Sequence, residues 1–274
     1  MSKVMLSLMV DVLMILGIAL GGFIALVRHM ESAGVFFPSR QLAANPSALG
    51  LPWEDVYFKA RGPVSLNGWF FKNPKARATL IFAHGNAGNI ADRLSRVKFF
   101  YDLGLSVLIF DYRGYGKSEG KPSENGIYWD GQAAYDYLQS RGDVNMDKII
   151  LYGASLGGCV AIDLALKRKA ALLIVESSFT SARDMARVHY PFIPSIFIGL
   201  KFNSVDKVRH LEVPKLFFHS PQDEIVPYSV GEKLFRAAAQ PKQFLKIEGG
   251  HNSGCLSPQA IGEFVRLLKL KELV

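Results

Sequence analysis

The chain has 274 residues, about half of them apolar and a fifth charged, with a formal net charge of +8. That is enough for one sizeable core plus an appendage, and no tract is biased enough to read as disordered. The basic residues are scattered among Asp and Glu, which argues against a nucleic-acid partner, and the two cysteines, Cys159 and Cys255, form neither a disulfide framework nor a metal-ligand spacing.

Residues 4–27, "VMLSLMVDVLMILGIALGGFIALV", are long enough to cross a bilayer, for which about 20 apolar residues suffice. Asp11 interrupts the run at a cost of at most about 3 kcal/mol, and the surrounding Leu, Ile, Val and Phe residues outweigh it at roughly 0.3 to 0.6 kcal/mol each. The stretch continues into "RHMES" without a small-x-small cleavage site, so it reads as an uncleaved single-pass anchor over residues 1–30. Gly17 and Gly21 form a GxxxG pair through which two anchors would approach closely, giving a homodimer.

Residues 31–52 are rich in Pro, Ser and Ala and lack periodicity, so they read as a connector to a domain at 53–274. Apolar or alternating runs predict strands at 54–59, 66–71, 79–82, 107–110, 148–151, 172–175, 215–218 and 243–247, the first two joined by the turn "RGPV". Helical patterns fall at 90–103, 124–140, 156–169, 229–238 and 258–270. Repeated β-α alternation with continuously apolar strands predicts an α/β fold: a mostly parallel eight-stranded sheet with helices on both faces. Residues 179–211 break that rhythm. They are too long for a bare loop and too interrupted by Pro191, Pro194 and Gly199 for one helix, so they read as a small lid insertion over one end of the sheet.

In such a sheet, ligands bind beyond the carboxyl ends of the strands. Four of those junctions carry unusual residues. "HGNAGN" (84–89) is a loop of small residues whose backbone N–H groups suit an oxyanion; it lacks either glycine spacing of a nucleotide loop. "GASLGG" (153–158) matches G-x-S-x-G between a predicted strand and a predicted helix, the setting that presents a strained, exposed serine, Ser155. A serine hydroxyl needs a base and an orienting carboxylate. "HSPQDEIVP" (219–227) offers Asp223 and "IEGGHNSG" (247–254) offers His251, in the chain order expected. Glu176 and Glu224 are alternative acids, His84 and His219 suit loop-bracing roles, and His29, His189 and His210 lie away from these junctions.

Together with "DYRGYGKSEG" (111–120), these motifs resemble the α/β-hydrolase superfamily, in particular its membrane-anchored abhydrolase-domain branch of serine esterases and protein depalmitoylases. The resemblance covers nearly all of the chain after the anchor. It implies a Ser155–His251–Asp223 triad, an oxyanion hole formed by the backbone N–H groups of Asn86 and Leu156, and bracing of the site by Asp111 and Arg113. The chain departs from those depalmitoylases in having an apolar span where they have a cysteine-rich amino terminus.

The insertion contributes an apolar cluster in which Tyr190, Phe192, Ile196 and Phe197 are candidates for substrate binding. The expected substrate is a carboxylester or acyl thioester, such as a lipid or a lipidated protein, cleaved without metal or cofactor. The same triad would serve a peptidase or amidase, and the fold also serves proteins that bind without catalysis.

Overall fold

The computed structural model describes residues 3–254 and 258–274. Eight strands form the main sheet: β1 (Glu54–Ala60), β2 (Val64–Phe71), β3 (Thr79–Ala83), β4 (Ser106–Phe110), β5 (Ile149–Ala154), β6 (Leu172–Glu176), β7 (Lys215–His219) and β8 (Lys242–Lys246). Their order across the sheet is β8-β7-β6-β5-β3-β4-β2-β1, and β2 alone runs opposite to the other seven. Strands are added on one side of β3 and then, from β5, on the other, so the carboxyl ends of β3 and β5 flank the point where a ligand crevice forms.

Every residue of β3, β4, β6 and β7 is buried, as expected of strands covered on both faces, whereas edge strand β1 alternates exposed and buried positions. The period-2 geometry divides the core in two. Ile81, Leu108, Leu151 and Val175 face one cluster, and Leu80, Phe82, Ile109, Ile150 and Ile174 face the other. Helices α3 (Glu124–Gln139), α4 (Leu156–Ala165) and α7 (Tyr228–Ala237) cover the first face; α2 (Leu94–Asp102) and α8 (Pro258–Leu270) cover the second. The α/β-hydrolase architecture expected from the sequence is therefore the one observed.

Local chemistry explains the boundaries. The helix expected from residue 90 opens instead as a 3-10 turn, Ile90–Arg93, because Asn89 and Asp92 form a reciprocal capping box there. Ser123 and Ser181 cap α3 and α5 (Ala182–His189) through their hydroxyls. The insertion consists of α5, a 3-10 turn at Ser195–Phe197 and α6 (Ser204–Val208). At the amino terminus α1 runs over Lys3–Val35, beyond the expected end of the anchor, and Phe37–Pro38 then pairs with Ala87–Gly88. Within the expected connector, therefore, the chain is helical to residue 35 and then paired with the "HGNAGN" loop. Cys159 is buried in α4; Cys255 lies outside the described residues.

Candidate active site

Ser155 stands at the junction of β5 and α4 with φ 53° and ψ −118°, a conformation that L-residues adopt only under constraint. Its neighbours make the constraint possible. A Cβ at Gly157 would lie 1.9 Å from the Ala83 carbonyl oxygen, and one at Gly153 would lie 2.2 Å from that of Gly157. Both positions therefore exclude any side chain, which is the physical content of G-x-S-x-G. The Ser155 N–H donates to the Glu176 carbonyl at 2.8 Å, fixing the elbow to β6. Although Ser155 occupies the N-cap position of α4, its side chain makes no capping bond, which leaves the hydroxyl available for chemistry.

Asp223 and His251 come together from the loops after β7 and β8. The Nδ1 of His251 lies 2.8 Å from Asp223 Oδ2 and 2.9 Å from Oδ1. The backbone N–H groups of Ile225 and Val226 donate to Oδ1 at 3.0 and 2.8 Å, and His219 Nε2 lies 3.4 Å from Oδ2. Burial pushes the Asp223 carboxyl up, but hydrogen bonds from His219, His251 and the Val226 N–H outweigh it and hold the group well below the ordinary carboxylate range. An anion fixed in this way holds one imidazole tautomer and orientation.

The alternative acids have other partners. Glu224 accepts the His251 backbone N–H at 2.9 Å, so it positions the histidine loop. Glu176 accepts from Arg96 at 2.7 Å and from the Tyr152 hydroxyl at 2.9 Å, while Arg96 also donates to the Gly254 carbonyl at 3.0 Å.

The "HGNAGN" loop lies against the elbow: a Cβ on Gly85 would stand 3.7 Å from that of Ser155. Tyr112 donates to the His84 carbonyl at 2.8 Å, and Tyr115 donates to the Asn86 carbonyl at 2.7 Å. His84 Nδ1 lies 2.7 Å from the Gly85 carbonyl, and burial, with the charge of Arg93, lowers this imidazole to a pKa of about 3, so it stays neutral. Asp111 accepts the Ile90 N–H at 3.0 Å behind the loop. Arg113 makes a buried, forked ion pair with Asp130, with contacts of 2.7 and 2.9 Å to Oδ1. The N–H of Leu156, in the first turn of α4, has no intrahelical acceptor and sits at the positive end of the helix dipole.

Ser155, Leu156, Asn86 and His251 line one cavity of about 930 Å³, at the upper end of the range for small-ligand pockets. Its upper walls combine the insertion with α1, through Val27, Met30 and Gly34. The four apolar candidates of the insertion separate: Tyr190 lines the cavity, Phe192 and Ile196 face solvent, and Phe197 packs edge-to-face on Phe23 of α1 at 5.2 Å. Ile193, Ile198 and Leu200 line the cavity in their place. His189, with no role in the sequence, also lines it, and its Nε2 lies 2.8 Å from the Ile225 carbonyl. The contribution of α1 left no local signal, since only tertiary packing brings residue 31 to residue 199.

A sheet of this topology with a serine elbow after β5 and an acid and a histidine after β7 and β8 defines an α/β hydrolase. The sequence pattern of the family described as "Serine aminopeptidase, S33" matches residues 74–204. The chain is 37% identical over 258 residues to the α/β hydrolase domain-containing protein WAV2 of Arabidopsis thaliana, covering 85% of this chain and 83% of that protein. It is 36% identical over 244 residues to protein bem46 of Schizosaccharomyces pombe, covering 83% and 81%. Among solved structures, the Pyrococcus furiosus esterase Pf2001 superposes with a TM-score of 0.69 at 18% identity, over 86% of this chain and 97% of that one. The chain belongs to the family of α/β hydrolase domain-containing proteins and is a hydrolase.

Proposed function

We propose that the chain is a membrane-anchored serine hydrolase that cleaves carboxylesters or acyl thioesters through an acyl-enzyme on Ser155. The observation that carries this reading is the Asp223–His251 contact of 2.8 Å at a cavity shared with a strained, uncapped serine. Ser155 Oγ attacks the acyl carbonyl carbon while its proton passes to Nε2 of His251, whose Nδ1–H is held by Asp223. The N–H groups of Asn86 and Leu156 bind the tetrahedral oxyanion. Collapse expels the alcohol or thiol, which takes the proton from His251. Water then attacks the acyl-enzyme with His251 as base, releasing the carboxylic acid and restoring the hydroxyl. The apolar upper walls support an acyl substrate. Helix α1, long and apolar enough to cross a bilayer, supports membrane attachment.

A second reading, hydrolysis of a peptide or amide, draws support from the description of the matched family and needs the same residues. Labelling by a fluorophosphonate probe tests the nucleophile: the wild type labels and Ser155→Ala does not, and equal labelling of the two sinks the mechanism. A panel of p-nitrophenyl esters of increasing chain length, with an acyl thioester and a peptide amide alongside, separates the readings. Cleavage of acetate alone would remove the acyl-chain assignment, and preferential cleavage of the amide would favour the second reading.

A further inference from the structure

Helix α1 has 33 residues and is about 50 Å long, whereas the hydrocarbon of a bilayer is about 30 Å thick. Residues 4–23 are all exposed and almost all apolar, and they supply that thickness. One face of the rest of α1 packs on the domain. Val27 is 2% exposed and packs with Ala186 and Ile198 of the insertion. Glu31 accepts the backbone N–H groups of Gly199 and Leu200 at 2.7 and 3.1 Å. The Arg28 guanidinium lies over Gly199, where a Cβ would collide with it.

Phe23, the last residue of the spanning length, carries Phe197 against it at 5.2 Å. That contact places Phe197, and with it the 3-10 turn that carries Ile196, beside the last turn of the exposed apolar length of α1. Among the described residues of the folded domain, the tip is also the most exposed apolar part, with Phe192 96% and Ile196 75% exposed. Neither side chain lines the cavity, so cavity packing does not account for them. Arg28 stands about 7.5 Å further along α1 than Phe23, at headgroup depth, where a cation is favoured.

We propose that Phe192 and Ile196 dip into the bilayer beside α1, and that the cavity fills from the membrane. Its substrate is then an acyl ester or thioester resident in that bilayer, whose chain passes between α1 and the insertion to reach Ser155. This rests on the hydrolase and anchor readings above and adds to them a docking surface and a route. The occupant is a lipid bilayer because the patch is continuous with the apolar length of α1. Cavity residues Val27, Met30 and Gly34 belong to the same helix, so α1 joins the apolar length to the wall of the cavity that holds Ser155.

The test uses the full chain in phosphatidylcholine vesicles whose acyl chains are brominated. Phe192→Trp should be quenched beyond the wild-type tryptophans, as should Val12→Trp within the span. Quenching at residue 12 alone overturns the docking and leaves the anchor intact; quenching at neither overturns both. In parallel, Phe192→Asp/Ile196→Asp should hydrolyse p-nitrophenyl acetate in solution at the wild-type rate but lose about tenfold on p-nitrophenyl palmitate held in vesicles. An equal effect on the two substrates, or on neither, overturns the route. Should the wild type turn over neither ester, the ester and thioester reading fails and the quenching result still decides the docking.

Discussion

The floor of the cavity is tightly built at the ends of β3, β5 and β7, and the roof is not. On the floor, Leu156, His84 and Asp223 are buried, and Gly153 and Gly157 touch backbone where a methyl would stand. In the roof, α5 buries Ala186 alone, and the insertion is held to α1 by a small apolar cluster and the Glu31 carboxylate. The contrast follows from the work of each region. Reacting atoms must be held within a few tenths of an ångström, since a misplacement of about 1 Å can cost a hundredfold in rate. The acyl chain of the proposed substrate has to be enclosed and then released, which a lightly held roof allows.

The largest expected effect comes from the floor. Asp223→Asn should lower kcat about ten-thousandfold while leaving the fold in place, because an amide oxygen still accepts the Ile225 and Val226 N–H groups but no longer fixes the imidazole tautomer. Ester kinetics with a thermal melt check both halves. The same carboxylate has a stability signature. Its folded pKa is depressed below 3.8, so its contribution is present above that value and is lost as pH falls through the folded pKa. The variant should lack this acid limb.

Gly157→Ala comes next. Its Cβ would stand 1.9 Å from the Ala83 carbonyl, so β3 or the elbow must shift. A loss of about 3 kcal/mol, or roughly 6–12 °C in Tm, is expected, with activity falling further than stability explains. A wild-type Tm would mean that the elbow is less tightly packed than its geometry indicates.

The two regions also differ in how far they could be read from the sequence. The floor was legible because its constraints are local: a strand, a glycine-flanked serine and a helix are contiguous, and a parallel sheet must place its loops at one end. Ser155, Asp223 and His251 could be selected on that basis, and the alternation of Leu80, Ile81 and Phe82 between two cores follows the strand period. The roof was legible only in composition. Apolar residues announced an insertion, but direction is set by tertiary contact, so Phe192 and Ile196 face outward while Ile193 and Ile198 turn in. The pairing of Glu31 with Gly199 and Leu200 joins residues too distant in sequence for any period or motif to report. The anchor was likewise expected to end at residue 30, whereas the helix runs on to Val35, and Glu31 in that last stretch is held by the domain it touches.

Glu31→Ala probes the roof and should act gently. Two backbone N–H groups lose an anionic acceptor at a partly exposed site, a change of about 1 kcal/mol. The KM for a long-chain ester should rise about fivefold, with kcat and the KM for acetate little changed. Equal changes for long and short chains would show that α1 supports the floor as well as the acyl wall.

The smallest effect on activity lies behind the floor, where Asp111 and His84 are both fully buried and 3.5 Å apart. Burial raises the Asp111 carboxyl to about 8, against a partial lowering by the Ile90 N–H, while His84 is held neutral, so near pH 7 the pair is largely uncharged. The sign of the pH dependence follows. The native state keeps a proton that the unfolded chain releases above pH 3.8, so stability declines as pH rises from about 4 through 8. Asp111→Asn retains an oxygen for the Ile90 N–H and has no proton to lose. Its Tm should therefore gain on that of the wild type by several degrees as pH rises from 5 to 8.5. A difference that stays constant across that range would mean that Asp111 is ionised in the folded protein, and the loop that carries Asn86 would then rest on a buried charge.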